Sequence, residues 1–287
     1  MAFVVAGVSG HTGQVVAETL LAQKRAVKVV VRDAAKGSPW KAKGADVAVA
    51  DLGDAGALTQ ALKGAEGAYV LVPPTFTAPN FRAYQDRLST AIADAARASR
   101  VPHVVFLSSI GAQLASDSGP IVGLHMAEET FRREKATAWT FLRAGYFMEN
   151  LGALFATLPQ GFIPSFLPAS LGIDMIATVD IGKQAAALLV EGGKGTEVVQ
   201  LGGPPISMND VAAAIGRITG KPVRVQEAPL DAVVPTFTGL GMPKDLAELY
   251  REMLEGFTVG RIGAEPGMRR IAGTTSIETF LRGALPK

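Results

Sequence analysis

The chain of 287 residues has three histidines and no cysteine, and one histidine, His125, stands four residues before Glu129 in VGLHMAEETF. Spacing of i and i+4 puts both side chains on one helix face. A carboxylate beside an imidazole favours the protonated ring, and an imidazolium can donate a hydrogen bond or a proton to a reducible oxygen. On a solvated face, or against a sugar, the same pair has no chemical role, so two readings of it stand open. The missing cysteines exclude disulfides, thiolate metal sites and a thiol nucleophile. His11, His103 and His125 are too far apart for a metal-binding spacing, so no metal is expected.

A second group lies at the start of the chain. Gly7, Gly10 and Gly13 stand three apart, after the short apolar run Phe3 to Ala6 and before Val15, Val16, Thr19 and Leu20 at helical spacing. A buried strand, a glycine turn and a helix N-terminus bring free backbone N–H groups and a positive helix end to one point. Phosphate binds at such a point, and Ser9, His11 and Thr12 fall inside the turn. The next apolar run, Val27 to Val31, ends in Arg32, about where a dinucleotide fold normally carries an acid for the adenosine 2′-hydroxyl. A guanidinium there suits a 2′-phosphate, with Lys36 close enough to add a charge, so NADP is favoured over NAD. The alternative for Arg32 is an ordinary surface charge at a strand end.

The rest of the chain supplies elements to position these groups. Val47 to Val49 reads as a third strand running out to Asp51 and Leu52, and Asp54 as the N-cap of a helix carrying Leu58 and Leu62. A fourth strand, Ala68 to Val72, stops at Pro73-Pro74, which places a stiff loop at the carboxyl edge beside the ribose of a bound dinucleotide. A long helix follows from Phe81 to Ser99, then a strand from Val104 to Leu107 with Ser108 and Ser109 at its carboxyl end. A helix over about 121–135 carries His125, and a sixth strand, Trp139 to Leu142, leads into Arg143, Ala144, Gly145, Tyr146 and Phe147. Alternating strands and helices predict an α/β, doubly wound parallel sheet of the Rossmann type.

Four stretches carry a family resemblance: GVSGHTG, LSSIGA at 107–112, FLRAGYFMEN at 141–150 and IAGTTSIETFL at 271–281. They resemble the atypical short-chain dehydrogenase/reductase group with NmrA-like and quinone-reductase-like members. The resemblance implies that Asp51 and Leu52 lie against the adenine, that Ser108 or Ser109 lies near the nicotinamide, and that the loop with Tyr146 and Phe147 packs there, pinned by Asn150. Val72 and Pro73 fall at the ribose. Turn formation remains open for the serines, loop capping for Asp51 and a core role for Tyr146. Conventional members of the superfamily carry Tyr-x-x-x-Lys on the helix where this chain has His125 and Glu129.

Beyond Asn150 the pattern loosens. LPQGFIPSFLPASLG, 158–172, is too interrupted by proline for a regular element, and reads either as a lid over an apolar substrate or as packing against a second domain. Asp180 reads as the cap of a helix through Leu189, and Val198 to Leu201 as a strand returning to the first domain. The expected division is a dinucleotide-binding domain over 1–150 and 176–202, with 151–175 and 203–287 forming a smaller, mostly helical substrate domain. Ser207 to Asn209 begin one of its helices, and Leu246, Leu249, Tyr250, Met253 and Leu254 mark another.

With 28 basic and 26 acidic residues the bulk charge gives no reason to expect nucleic acid as a partner. The chain shows no basic-then-apolar leader and no apolar run near the ~20 residues that span a bilayer, so a cytoplasmic protein is expected. The leading expectation is NADPH-dependent reduction of an apolar small molecule such as a quinone. Its rival is a regulator that binds NADP without turnover, kept open by the missing Tyr-x-x-x-Lys, and isomerisation or epimerisation on the same fold also stays open.

Overall fold

The computed structural model describes residues 1–75, 78 and 80–286. The first half alternates β1 (Ala2–Val5), α1 (His11–Ala22), β2 (Val27–Val31), α2 (Ser38–Ala42), β3 (Asp46–Val49), α3 (Ala55–Leu62), β4 (Ala65–Leu71), α4 (Phe81–Ser99), β5 (His103–Ser109), α5 (Val122–Arg133) and β6 (Ala138–Ala144). The second half is more broken. It runs through β7 (Tyr146–Phe147), β8 (Phe162–Ser165), β9 (Ile173–Ile176), α6 (Thr178–Glu191), β10 (Thr196–Gly202), β11 (Pro205–Ile206), α7 (Met208–Thr219), β12 (Arg224–Glu227), α8 (Val233–Gly239), α9 (Lys244–Thr258), β13 (Arg269–Ala272) and α10 (Ile277–Ala284).

Eight strands form one parallel sheet in the order β13-β10-β6-β5-β4-β1-β2-β3. Strands buried on both faces read as continuous apolar runs, because crossover helices cover each side. On one face Val5, Val29, Val105 and Leu142 pack with Val16 and Leu20 of α1 and Ile181 and Leu188 of α6. On the other, Val4, Val30, Phe106 and Phe141 meet Leu58 of α3, Ile92 of α4 and Phe131 of α5. The strand order reverses between β1 and β4, and the carboxyl ends of strands at such a point form the ligand crevice of an open α/β sheet.

A third core, with Ile163, Leu167, Met175, Val211, Ile215, Phe257 and Leu281, lies in the smaller part. Here the structure departs from two expectations. Residues 162–165 form a regular strand, β8, paired in parallel with β12. Pro164 is tolerated because this sheet has only two strands, so a missing N–H need not break a ladder. Asp180 does not cap its helix: it lies in the first turn of α6 and accepts from Thr274 N, Thr275 N and Thr274 Oγ1 at 2.8–2.9 Å. The C-terminal stretch is mostly helical, as expected, and β13 within it joins the edge of the main sheet beside β10. Among the described residues, no helix is long and apolar enough to cross a membrane, and no cluster of His, Asp and Glu could hold a metal ion.

Candidate functional site

The backbone leaves β1 and turns at Gly7, whose φ of 70° is in the left-handed region. Gly10 N then donates to Gly7 O at 2.9 Å, and Gly10 becomes the N-cap of α1. Among the described residues no side chain caps this helix, and its first turn carries no acid, so its donors and positive end face outward uncompensated. The glycines differ in purpose. A Cβ on Gly13 would lie 2.5 Å from Gly7 O and 2.6 Å from Ala6 O, so glycine lets α1 sit against the end of the strand. A Cβ on Gly10 would meet nothing closer than Gly7 O at 3.4 Å. Packing gives little reason for glycine at position 10, whereas close approach of a phosphate does.

Ser9, Gly10 and His11 are exposed around this turn, but Thr12 is buried and its Oγ1 accepts from the Tyr69 hydroxyl at 2.9 Å. Complete burial pushes the Tyr69 phenol up, which keeps it a protonated donor. The side chain of Thr12 thus anchors the turn to β4, and its backbone N–H belongs to the first turn of the helix.

On the β1-β2-β3 side of the strand reversal, Arg32 follows β2 and is exposed. Asp33 accepts from Ala35 N at 2.9 Å and starts the short turn Ala34–Gly37, which carries the exposed Lys36. Asp51 Oδ1 accepts from Gly53 N at 2.8 Å, and Asp54 caps α3 as expected. Leu52 and Val72 are half-buried against the sheet core, and Pro73 is half-buried beside them in the chain. Two residues of α4 join this group without having been singled out in the sequence. The Arg87 guanidinium rests against Gly53, where any Cβ would collide with it, and lies 5.8 Å from the Tyr84 ring centroid. Burial raises the Tyr84 phenol, Asp51 raises it further, and Arg32 and Arg87 oppose them. Arg32, Asp51, Tyr84 and Arg87 therefore share one electrostatic neighbourhood. The signal available was that α4 follows β4 and so begins at the carboxyl edge, with Tyr84 and Arg87 one turn apart near its start.

At the end of β5 the two serines part company, because successive strand residues point to opposite faces. Ser108 Oγ donates to Glu128 Oε1 at 2.6 Å, inside a buried network on the α5 face. Arg143 donates to the same carboxylate from Nε at 2.9 Å and Nη2 at 2.6 Å, and from Nη1 to Glu265 at 2.6 Å. Burial opposes the Arg143 charge, and the bonds to Glu128 and Glu265 more than offset it. Ser109, half-exposed on the other face, donates to Ile110 O at 2.9 Å. Of the two serines, only Ser109 leaves its hydroxyl outside the buried network.

Beyond β6, Tyr146 and Phe147 form β7 and pair with Met175 and Ile176 of β9. Burial pushes the Tyr146 phenol up to about 12, the neighbouring Tyr250 adds to this, and a hydrogen bond with Asn150 works against it. Asn150 thus pins Tyr146 directly.

His125 and Glu129 line one cavity of about 520 Å³ with Gln113, Glu128, Arg132, Arg143, Glu197, Glu265 and others. The shared helix face is as the spacing requires, but their bonding partners differ. His125 Nδ1 hydrogen-bonds Ala112 O at 2.9 Å, and Glu129 pairs with Arg132 at 3.3 Å. None of the glycine-turn residues lines this cavity.

The NmrA-like family matches residues 2–265. The chain is 32% identical over 252 residues to an NAD(P)H azoreductase of Xenophilus azovorans, covering 87% of this chain and 85% of that protein. It is 28% identical over 265 residues to quinone oxidoreductase 2 of Escherichia coli strain K12, covering 89% and 88%. In fold it superimposes on triphenylmethane reductase of Citrobacter sp., a structure complexed with NADP(H), with a TM-score of 0.84, 21% identity and coverage of 99% and 100%. The glycine turn at the strand reversal and the match along most of the sequence agree: the chain belongs to the NmrA-like family.

Proposed function

We propose that the protein is an NADPH-dependent oxidoreductase that reduces an apolar small-molecule acceptor such as a quinone. The observation that carries this reading is the uncapped N-terminus of α1 behind Gly10, a glycine with little packing reason, at the point where strand order reverses. The named activities of the azoreductase and quinone oxidoreductase relatives support it.

In this reading the amides of the glycine turn take the pyrophosphate, while Arg32, with Arg87 and Lys36 nearby, faces the 2′-phosphate. Ser109, Tyr146 and Phe147 border the nicotinamide half of the crevice. Bound NADPH supplies a hydride, so that NADPH, a proton and a quinone yield NADP⁺ and a hydroquinone. The chain's own contribution is orientation and exclusion of water. His125 acts through its bond to Ala112 O, holding the loop after Ser109, in preference to a proton-donor role.

Steady-state NADPH oxidation with a panel of quinones and azo dyes tests the proposal, and saturable turnover of at least one acceptor is the expected result. A different reading, a regulator without turnover, is favoured by the missing Tyr-x-x-x-Lys pair, in whose place the chain has His125 and Glu129. Tight NADPH binding with every acceptor inert would select that reading.

A further inference from the structure

Three aromatic rings from separate parts of the chain meet in the smaller part, and a fourth aromatic residue, Tyr146 in the loop after β6, lies near them. Phe166 follows β8, Phe237 lies on α8, Tyr250 on α9 and Tyr146 on β7. Phe166 and Phe237 meet edge to face with centroids 5.8 Å apart and planes at 88°, and Phe237 meets Tyr250 in the same way at 5.7 Å and 80°. Tyr146 stands outside these ring contacts but close enough to Tyr250 for the two phenols to act on one another electrostatically.

All four residues are half-exposed, in contrast to Phe106, Phe131, Trp139 and Phe141 of the sheet core, each at 0%. Rings ordered against one another yet left partly in water forgo part of their hydrophobic stabilisation, which an apolar ligand laid on them would recover. Their place in the fold is equally informative. Tyr146 comes two residues after β6, on the β4-β5-β6 side of the strand reversal, the half of the crevice that takes the nicotinamide of a dinucleotide whose pyrophosphate sits at Gly10. An acceptor must reach that half to receive a hydride.

Burial raises the phenols of both Tyr146 and Tyr250, so both hydroxyls stay protonated and uncharged through the neutral range. Neutral donors set among aromatic edges suit a flat molecule with an oxygen that gains negative charge as hydride arrives. They offer no charge with which to attract an ionic substrate.

We infer that Phe166, Phe237, Tyr250 and Tyr146 form the acceptor subsite, taking a flat aromatic carbonyl compound against the rings and hydrogen-bonding its oxygen from the tyrosine pair. This rests on the reductase reading given above. Within the subsite the two phenylalanines set affinity for the ring system, whatever its substituents. The tyrosine hydroxyls separate carbonyl acceptors from aromatic compounds that have no hydrogen-bond acceptor.

The test is binding to the protein loaded with NADP⁺, in which an oxidised acceptor and an oxidised cofactor form a dead-end complex. Naphthoquinone is one probe and naphthalene, which has no hydrogen-bond acceptor, the other, both titrated calorimetrically. Phe237→Leu is expected to weaken both probes ~3–10-fold, the size of a lost aromatic pair contact. Tyr250→Phe is expected to weaken naphthoquinone ~3–10-fold, the size of one neutral hydrogen bond, and to leave naphthalene within about twofold. NADP⁺ affinity should stay at the parent value in both variants, which also reports an intact fold. Parent-like naphthoquinone binding by both variants overturns the subsite, as does absence of naphthoquinone binding to the parent. Equal weakening of both probes by Tyr250→Phe overturns the hydrogen bond. Dead-end binding that follows the pattern in a protein that oxidises no NADPH leaves the subsite standing and removes the reductase reading. Turnover of quinones with unaffected variants does the reverse.

Discussion

Arg32 at the end of β2 and Arg87 of α4 both act on the Tyr84 phenol, and Arg87 rests against Gly53 of the Asp51–Gly53 turn. Arg32→Ala should weaken NADPH by about 1.5–3 kcal/mol, the range of a charge-assisted hydrogen bond, and barely alter NADH. Titration with both dinucleotides checks this, and equal losses for the two would assign Arg32 a structural role. Arg32 was legible because its distance from the glycine turn is a local property of one strand-helix-strand unit. Arg87 was not, since its neighbours at 51 and 53 come from another element. His103 is a similar case. It is buried, its Nε2 lies 2.9 Å from Thr140 Oγ1, and its Nδ1 has no partner among the described residues. Burial pushes its pKa down to about 4, with Glu191 opposing. The folded state therefore binds fewer protons than the unfolded one between about pH 6.5 and 4, and stability present above that window is lost as pH falls through it. The loss is on the order of 3 kcal/mol at most for this shift. Urea unfolding of the parent and His103→Gln at both ends of the window should show a smaller acid loss in the variant. Parallel curves would show that His103 does not control the acid limb.

At the scale of elements, the helix carrying His125 and the strand carrying Ser108 explain one another. Strand alternation turns Ser108 toward α5, where Glu128 holds it together with Arg143, and so leaves Ser109 as the serine outside the buried network. Sequence spacing identifies the strand end, but nothing in it singles out Glu128, whose burial depends on where Arg143 projects from β6. If His125 works by holding the loop through Ala112 O, His125→Ala should lower kcat less than ~10-fold and leave its pH profile unchanged through the histidine range. A loss of ~10²-fold or more, with kcat of the parent falling as pH rises through that range, would restore the proton-donor role. Two strands were hidden for physical reasons. β13 is an edge strand beginning with Arg269 and Arg270, so it lacks the apolar run of a buried strand. In β8, Pro164 argues against a strand unless the sheet is small enough to do without its N–H.

Over the whole molecule, the parallel sheet is the part most plainly written in the sequence, because strands covered on both faces must be apolar throughout and each is followed by its own crossover helix. The smaller part is held by pairings between distant residues, β8 with β12 and β9 with β11, and its aromatic contacts join residues 166, 237 and 250. No periodicity within one segment announces such contacts. The central claim is that the crevice at the strand reversal binds NADPH and passes its hydride to an apolar acceptor. Single-turnover reduction of a quinone by NADPH deuterated at the transferring position of C4, followed in the parent and in Gly10→Val, tests that claim most directly. The parent is expected to oxidise NADPH directly, with a deuterium isotope effect on the chemical step. Gly10→Val is expected to fold yet neither bind nor oxidise NADPH, because the added side chain stands where the phosphate must approach. Parent-like binding and oxidation by Gly10→Val, or a parent that holds NADPH tightly and transfers no deuteride to any acceptor, would contradict it.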